Sequence, residues 1–458
     1  MPRHDLGLEF WKLMQKYGDL VYLNAFGKSI LVVGSCQIAR DLLEKRSANY
    51  SDRPGSVMAE LTNFDKMFVL HRYGERWRLH RRVFHEFFNI NAVSQLRPVQ
   101  QISARRLLAA ILKSPRDVAA RLKFSIASNL IQVAYGIEMI EEDDKYFEMV
   151  ERITETGQAI SVPGRFPVET ISSLQYLPSW FPGGGFKAMA REAAEHIEMS
   201  TGAARESFVS RLLDDASKYD LEGAGERDLK SFIGDLTITT YAAGSDTTNA
   251  AIRAFFLAMA MYPDAQRKAQ EELDRVVGPD RLPDFSDMNS LPYLGALLKE
   301  LMRWHVITPI SLPHGVVADD MYNGYLIPAG TAVTVNVWGL AHDPELYPDP
   351  DAFLPERYLD ATGQLDLSKP APSDWAFGFG RRICPGQHFA EASMFIYAAS
   401  ILYAFDISPP VDGHGTPVEL VHDTATIDIV AHPPFHDYVV KPRSAHAEQL
   451  IVAHRDDV

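Results

Sequence analysis

The sequence predicts a mainly α-helical protein with small β-sheets, built as one large domain over residues 1–458. Most of the chain shows the periodicity of amphipathic or buried helices, and the longest such segment is Asp228–Met261. Segments that resemble strands are short and come in small groups. No internal repeat or long low-complexity linker divides the chain, so we expect the helices to share one core.

Two β-hairpins are predicted from apolar runs that flank turn residues. Leu20–Val33 has such runs on either side of Gly27-Lys28, a pair suited to a tight turn. Tyr325–Ile327 and Thr331–Trp338 are predicted to form the second hairpin, around Pro328–Gly330. We therefore expect minor β-sheets beside the helical core.

The helices are predicted from their length and from the residues at their ends. At about 1.5 Å per residue, Asp228–Met261 would be roughly 50 Å long. Pro263 ends that helix and can begin the next one. Arg72–Leu112 and Leu291–Trp304 are also helical in character, and the apolar run Phe389–Tyr403 predicts a buried helix.

Charge and composition exclude several classes of function. The 458-residue chain has a formal net charge of -15, which repels phosphate backbones and argues against nucleic acid as a partner. Its two cysteines do not form a disulfide framework and indicate a reducing compartment. No run of about 18 apolar residues predicts a transmembrane helix, and the polar start is unlike a signal peptide. We expect the chain as given to be soluble or bound only to a membrane surface.

The strongest motif surrounds Cys384, in the segment FGFGRRICPG. Gly378 and Gly380 permit a tight, irregular turn that side chains would block. Arg381 and Arg382 are expected to lower the pKa of the Cys384 thiol and so favour the thiolate, the form that binds iron. The alternative interpretation is a buried structural cysteine in a glycine-rich loop. That interpretation suits the other cysteine, whose surroundings lack this pattern.

A cluster of poor helix formers interrupts the long helix and indicates a functional site. Thr247 can bond to the carbonyl of Ala243, and small Ala243 and Gly244 would leave room for a diatomic ligand. The carboxylate of Asp246 needs a partner if it is buried. The alternative is that this polar face of the helix is turned to solvent. The flanking apolar residues argue against that alternative, because they indicate a largely buried helix: Ile238, Ala242, Ala251 and Phe255.

Four motifs together resemble the cytochrome P450 family, in the order in which the family has them. The Cys384 segment fits F-x-x-G-x-R-x-C-x-G completely, and Ala243–Thr248 fits (A/G)-G-x-(D/E)-T-(T/S) at every position. Glu300 and Arg303 form the family's E-x-x-R, which alone would be a surface salt bridge. Pro355–Tyr358 resembles P-E-R-F, with tyrosine in place of phenylalanine. The resemblance covers nearly the whole chain and implies the P450 fold.

The resemblance implies haem b as cofactor, with Cys384 as the proximal ligand of its iron. Phe377 would pack near the thiolate, and Arg382 would pair with a haem propionate. Gly378 and Gly386 would belong to the same haem-binding loop, where Gly386 allows a flat group to approach the backbone.

Further haem contacts are implied at a distance along the chain. Trp77 and Arg81 match the family's W-x-x-x-R and would donate to a propionate, although this spacing also suits a basic amphipathic helix. His314 aligns with a position that contacts the other propionate. Arg357 would join Glu300 and Arg303 in a buried network that holds the cysteine loop.

The implied activity is that of a haem-thiolate monooxygenase. Asp246 and Thr247 would deliver protons to O2 bound beside Ala243 and Gly244, which is general acid work. The implied partners are an NADPH–cytochrome P450 reductase, O2 and a lipophilic small molecule such as a terpenoid, polyketide or fatty acid. The residues in these motifs are similar to those of the eukaryotic microsomal members of the family, above all the fungal ones. A native membrane anchor would place the protein on the cytoplasmic face of the endoplasmic reticulum.

The substrate pocket would be lined by segments that are mostly apolar or small, which suits a lipophilic substrate. The resemblance assigns this role to Met58–Phe68, Tyr241–Ser245, Val306–Leu312 and Asp423–Thr426. Two alternatives stay open at this point. One is an isomerase or dehydratase on the same fold that needs neither oxygen nor reductase. The other is a haem-binding or sensing protein without enzymatic activity.

Overall fold

The computed structural model describes residues 5–25, 27–136, 138–139, 145–162, 164–180, 184–203, 226–426 and 428–454. Within these ranges the chain is mainly helical, which confirms the predicted fold class. The shorter α-helices are α1 (Leu6–Tyr17), α2 (Cys36–Arg40), α3 (Ser47–Tyr50), α4 (Val57–Leu61), α13 (Val337–Ala341), α14 (Ser373–Ala376) and α16 (Ala445–Ala453). The longer ones are α5 (Glu75–Phe88), α6 (Ile90–Lys113), α7 (Val118–Tyr135), α8 (Lys145–Ser161), α9 (Phe186–Ala203), α10 (Glu226–Met261), α11 (Pro263–Val277), α12 (Pro292–Trp304) and α15 (Gln387–Ala404).

The core is organised around α10 and α15, because both helices are apolar over most of their circumference. A helix that is apolar all round is stable only when neighbours cover every face. Helix α10 packs against α7, α9 and α15, and α15 also packs against α6 and α11. The predicted helices Asp228–Met261 and Phe389–Tyr403 are thereby confirmed, and Pro263 begins α11 as expected.

The described residues include eight strands in three small sheets: β1 (Leu20–Ala25), β2 (Lys28–Val33), β3 (His314–Gly315), β4 (Asp320–Tyr322), β5 (Tyr325–Ile327), β6 (Ala332–Val335), β7 (Phe405–Ser408) and β8 (Val439–Pro442). The largest sheet has the order β1-β2-β6-β3. Strands β1 and β2 pair in antiparallel register from Leu20 opposite Val33, which confirms the first predicted hairpin. The other sheets are the pairs β4-β5 and β7-β8.

The second predicted hairpin is wrong. Strand β5 pairs with the preceding strand β4, and β6 instead lies parallel to β2 in the large sheet. The reason is the turn at Asn323-Gly324, where both residues adopt positive φ, of 51° and 83°. A two-residue turn with positive φ at both positions matches the twist of a hairpin, so it closes β4 on β5.

Within the part of the chain that the structure describes, none of the helices is both long enough and apolar enough to cross a membrane.

Candidate active site

The loop before Cys384 is shaped by two glycines in the left-handed region. Gly378 has a φ of 81° and Gly380 a φ of 60°. A Cβ atom at Gly380 would lie 2.1 Å from the carbonyl oxygen of Leu43, so the loop can approach that backbone only because no side chain is present. The amide of Cys384 then donates to the carbonyl of Phe377 at 2.7 Å and closes the loop. Both glycines therefore have the role that the motif predicted.

The Cys384 side chain is exposed, although protein surrounds the residue closely enough for burial to raise the pKa of its thiol. Both properties are those of a thiol that faces a space enclosed by protein. Backbone N–H groups of Gly386 and Gln387, together with the positive charge of Arg81, act in the opposite direction and favour the thiolate. The sulphur thus has an accessible face and donors behind it.

The expected effect of Arg381 and Arg382 on the Cys384 thiol is wrong in its source and in its net direction. Arg381 is exposed and donates to the hydroxyl of Tyr73. Arg382 is directed to backbone carbonyls elsewhere, and the cation that acts on the thiol is Arg81. Adjacency in sequence does not fix the direction of a long side chain.

Arg382 is buried and carries a donor without a partner. Its Nε donates to the carbonyl of Ser51 and its Nη2 to that of His71, both at 2.8 Å. Its guanidinium lies 4.3 Å from the centre of the Trp77 ring. The remaining nitrogen, Nη1, is buried with no acceptor among the described residues. A buried donor of this kind is costly unless an anion or another acceptor completes it.

Further basic groups surround Arg382. Arg53 is buried and donates to three backbone carbonyls, those of Val69, Leu312 and Pro313. Burial and the neighbouring Arg382 lower the pKa of Arg53 to about 9. The buried His314 contacts the carbonyl of Tyr50 through Nδ1 at 2.7 Å, and burial together with Arg53 lowers its pKa to about 3.

This group of basic side chains is set up to receive an anion. Asp52 is the acid that offsets the charges of Arg53 and Arg382, but it already accepts from Arg72 and from the amide of Tyr73. Arg81 donates to the carbonyl of Ile383, directly before the cysteine. Arg53 was not predicted, because nothing in the sequence around this single arginine indicates which distant residues it contacts.

Between residues 232 and 252, helix α10 has a short accessible stretch in its middle. Residues 232–241 and 248–252 are buried throughout, whereas most of Ala242–Thr247 is accessible and Ala243 is exposed. Thr247 Oγ1 donates to the carbonyl of Ala243 at 2.8 Å, as predicted. Gly244 does not leave room for a ligand, which corrects our expectation. A Cβ there would lie 3.2 Å from Leu130 of α7, so this glycine allows the two helices to pack closely.

The partners of Asp246 come from two distant segments. The amide nitrogen of Gln158, on α8, donates to both carboxylate oxygens at 3.0 and 3.1 Å. His432 Nε2 lies 3.0 Å from Oδ1 of the same carboxylate. Neither residue could be found from the sequence, because nothing near Gln158 or His432 marks a contact with α10.

Apolar residues pack beside the accessible stretch of α10. Ala59, Phe64, Met67, Ile153 and Ile238 form a buried cluster against which Ala242 packs. Two of the segments predicted to line the pocket, Met58–Phe68 and Tyr241–Ser245, meet here. A third, Val306–Leu312, is tied to the segment of His432, since Ile307 accepts a hydrogen bond from Ala431 at 2.8 Å. The fourth contacts the N-terminal helix, where Leu6 donates to Thr426.

Glu300, Arg303 and Arg357 form a buried network, as predicted. Arg303 donates to both oxygens of the Glu300 carboxylate at 2.8 Å, and both side chains are fully buried. The amide of Leu354 and Nε of Arg357 donate to the same carboxylate. Arg303 further donates to the carbonyls of Ala341, Pro350 and Ala352, so it ties α12 to the end of α13 and to the segment that follows it.

Comparison with known proteins decides the family. The family model described as cytochrome P450 matches residues 2–429. The chain belongs to the cytochrome P450 family. This P450 is 40% identical to the cytochrome P450 monooxygenase claR of Ampulloclitocybe clavipes, over 98% of this chain and 84% of that protein. It is 37% identical to the cytochrome P450 monooxygenase eriA of Hericium erinaceus, over 96% of this chain and 86% of that protein.

A solved structure agrees with the fold of this P450. A zebrafish cytochrome P450 determined with abiraterone superposes with a TM-score of 0.76, at 24% identity, over 96% of this chain and all of that chain. Fungal relatives named as monooxygenases make this P450 an enzyme of that class. The predicted family, fold and enzyme class are thus confirmed.

The residues present fit the haem that the family implies. The accessible sulphur of Cys384 matches the soft ligand that a thiolate-bound iron requires. The unpaired Nη1 of Arg382, with the excess of positive charge around it, matches an anionic edge such as a propionate. A Cβ at Gly386 would meet no protein atom within 4 Å, so the space beside this glycine is open.

Proposed function

We propose that this P450 inserts one atom of O2 into a lipophilic small molecule, with electrons from an NADPH–cytochrome P450 reductase. The observation that carries the proposal is the accessible stretch Ala242–Thr247 of α10. It presents Ala243 and Thr247 between the buried residues 232–241 and 248–252, and it is bordered by the apolar cluster around Phe64. An apolar site beside an acid and a hydroxyl suits oxidation of an apolar substrate.

Cys384 would hold haem b through its sulphur, with Phe377 beside it. Arg382, Arg81, Trp77 and His314 would receive the propionates, and Arg53 would add to the same positive environment. When it is bound in this way, the haem supplies the chemistry that activates O2, and electron donation by the thiolate favours cleavage of the O–O bond. The protein's own part is to position the substrate, exclude water and move protons.

The proton step would belong to Thr247 and Asp246. The Thr247 hydroxyl donates to a helix carbonyl, so it holds its proton at a fixed place on the accessible stretch. Asp246 directly precedes Thr247 and is held by Gln158 and His432. Its carboxylate can therefore give up and regain a proton without leaving its partners. Glu300, Arg303 and Arg357 would keep the surrounding loops, including that of Cys384, in one geometry.

The substrate would be a lipophilic metabolite, and a terpenoid or polyketide of fungal secondary metabolism fits best. The apolar side chains of Phe64, Met67 and Ile238 pack together beside the accessible stretch. Contact with a membrane surface, where a microsomal reductase works, is supported by Ile171, Tyr176 and Trp180, which are 54%, 81% and 81% exposed. Aromatic side chains of this kind are favoured at the membrane–water interface. We place the working protein at the cytoplasmic face of the endoplasmic reticulum.

The test is oxygen incorporation by the purified, haem-loaded protein with a fungal reductase and NADPH. Candidate terpenoids and polyketides are incubated under ¹⁸O₂, and products are analysed by mass spectrometry. A product that carries one labelled oxygen, formed only with NADPH, supports the proposal. A product that forms equally without O2 and NADPH would establish the isomerase or dehydratase alternative. A substrate that shifts the haem spectrum but yields no product with any redox partner would favour a sensing role.

A further inference from the structure

The carboxylate of Asp246 is closed off from solvent by a histidine of the C-terminal segment. His432 Nε2 lies 3.0 Å from Asp246 Oδ1, and the two side chains are 22% and 11% exposed. A carboxylate oxygen accepts hydrogen bonds, so Nε2 carries a proton whenever Asp246 is ionised. The imidazole is therefore the more exposed half of a two-residue chain that leads from solvent to α10.

The position of His432 is fixed by its backbone. The amide of the preceding residue, Ala431, donates to Ile307 at 2.8 Å, and its carbonyl accepts from His305 Nε2 at 2.9 Å. Burial lowers the pKa of His305 to about 4, so this ring is neutral at ordinary pH and keeps the tautomer that donates to Ala431. The neutral, buried ring of His305 therefore holds the segment of His432 in one place.

Gln158 can stabilise both proton states of the pair. Its amide nitrogen donates to the Asp246 carboxylate and also lies 3.3 Å from His432 Nε2. When the proton is on Nε2, the amide donates to the carboxylate. When the proton has moved to Asp246, Nε2 has a lone pair and can accept from the same amide. The transfer thus keeps a partner for Nε2 of His432 and for the Asp246 carboxylate, while Nδ1 of His432 is buried with no partner among the described residues.

The other charged groups around the pair cannot replace His432 as a proton source. Arg253 on α10 acts on Asp246 and on His305, but a guanidinium does not release its proton at working pH. Lys123 on α7 also feels the charge of Asp246, but its ammonium forms its ion pair with Glu151 of α8 and lies near Glu155 of the same helix. Among the described groups near Asp246, His432 is the titratable side chain in direct contact with the carboxylate.

We infer that His432 supplies Asp246 with the protons that this P450 consumes. In each transfer the N–H bond at Nε2 breaks and an O–H bond forms at Oδ1 of Asp246, so the imidazolium becomes neutral and the carboxylate becomes a carboxylic acid. The acid passes its proton to the hydroxyl of Thr247 or to water beside it. The imidazole, which is 22% exposed, then takes up a proton from solvent and becomes imidazolium again. His432 acts through Asp246 and is a positioning residue; the inference rests on the proposed function of Asp246.

Four variants test this inference: His432→Gln, His432→Ala, Asp246→Asn and the control His196→Gln. Glutamine can donate to Asp246 as histidine does, but it cannot pass a proton on. His196 is a matched control because it is 20% exposed and lies 4.0 Å from a carboxylate, that of Glu192. The carbon monoxide difference spectrum of each reduced variant first establishes that haem is bound and the fold is intact.

The measured quantities are the rate of NADPH oxidation with a fungal reductase and no added substrate, its pH profile, and its ratio in H2O and D2O. We expect both His432 variants to lower the rate by about tenfold and to raise the solvent isotope effect, because a general acid is lost from the proton path. The His196 control should stay within about twofold of the wild type. The pH profile of the rate should change in both His432 variants, because a proton-exchanging group is lost from the path, and should stay that of the wild type in the His196 control.

The outcomes separate this inference from the proposed function. If His432→Ala is slow and His432→Gln is restored, the residue only holds Asp246 in place and the inference is overturned. If Asp246→Asn is slow while both His432 variants behave as wild type, the function of Asp246 stands and protons arrive by another route. If Asp246→Asn has no effect, the proposed proton role itself is wrong.

A second measurement avoids turnover. In protein labelled with ¹⁵N-histidine, as the reduced carbon monoxide complex, His432 is identified as the signal missing from His432→Gln. We expect Nε2 to carry a proton whose signal moves in Asp246→Asn. A signal typical of an unprotonated ring nitrogen at Nε2, unchanged in Asp246→Asn, would contradict the contact on which the inference depends.

Discussion

Replacement of Glu300 by glutamine removes the charge at the centre of the buried network while it keeps the size of the side chain. In the native protein this carboxylate accepts two hydrogen bonds from Arg303, one from Arg357 Nε at 3.3 Å and one from the amide of Leu354 at 2.9 Å. In Glu300→Gln an amide group faces these donors, and the guanidinium of Arg303 stays fully buried without its counter-ion.

The loss of one partner of a buried ion pair costs about 3–5 kcal/mol, because the other charge is left uncompensated. We expect Glu300→Gln to lower the free energy of unfolding by this amount. An apolar double replacement of the pair should not restore stability, because Arg303 also satisfies the carbonyls of Ala341, Pro350 and Ala352, and their acceptors would be left unpaired.

The assay is urea unfolding followed by tryptophan fluorescence, with haem content measured on the same samples. Glu271→Gln is the matched control, because it breaks an ion pair with Arg267 on the surface of α11, where the side chains are 62% and 56% exposed. That change should cost no more than about 0.5 kcal/mol. A cost below about 1 kcal/mol for Glu300→Gln would refute the reasoning, since it would mean that the network is hydrated or dispensable.

Three further predictions follow from the site and from the buried histidines. Arg382→Gln should accelerate the transfer of haem to apomyoglobin by about tenfold or more, because a charge-assisted hydrogen bond from this buried side chain contributes about 1.5–3 kcal/mol. Arg381→Gln replaces the exposed neighbouring arginine and should change the transfer rate by less than about twofold. Gly380→Ala should abolish haem binding in the purified protein, and Gly363→Ala, at a similar positive φ with nothing nearby, should cost only about 1–2 kcal/mol in urea unfolding. Burial lowers the pKa of His342 from 6.5 to about 4, so between these pH values the folded state binds fewer protons than the unfolded state. The free energy of unfolding therefore decreases as the pH decreases through that range. His342→Gln should remove about 3 kcal/mol of this pH dependence, and an unchanged slope would contradict the assignment.

The features that sequence analysis predicted well depend on local pattern. The helices α10 and α15 are long and apolar, so their existence follows from periodicity alone. The contact of Thr247 with Ala243 and the pairing of Glu300 with Arg303 follow from helical spacing. The turn before Cys384 follows from its glycines, because few other residues adopt positive φ there.

The features that it missed depend on contacts between distant segments. Arg53, Gln158 and His432 reach the site from three separate parts of the chain, and each contact exists only in the folded protein. The direction of Arg382 is of the same kind, since burial against Ser51 and His71 decides it. The wrong hairpin is different, because the sequence itself contains a sign of the correct one. The Asn-Gly pair between β4 and β5 is a stronger signal for a hairpin turn than the proline-containing segment after β5.

The central claim is that Cys384 binds haem iron as a thiolate, and the carbon monoxide difference spectrum of the dithionite-reduced protein tests it most directly. Cys384→Ala is measured beside the wild type, with Cys36→Ala as the control, because burial raises the pKa of that thiol to about 11 and it is not expected to bind metal. The account predicts the strongly red-shifted Soret band of a thiolate-bound complex in the wild type and in Cys36→Ala, and its loss in Cys384→Ala. A folded wild-type protein that binds haem without this band, or the same band in Cys384→Ala, would contradict it.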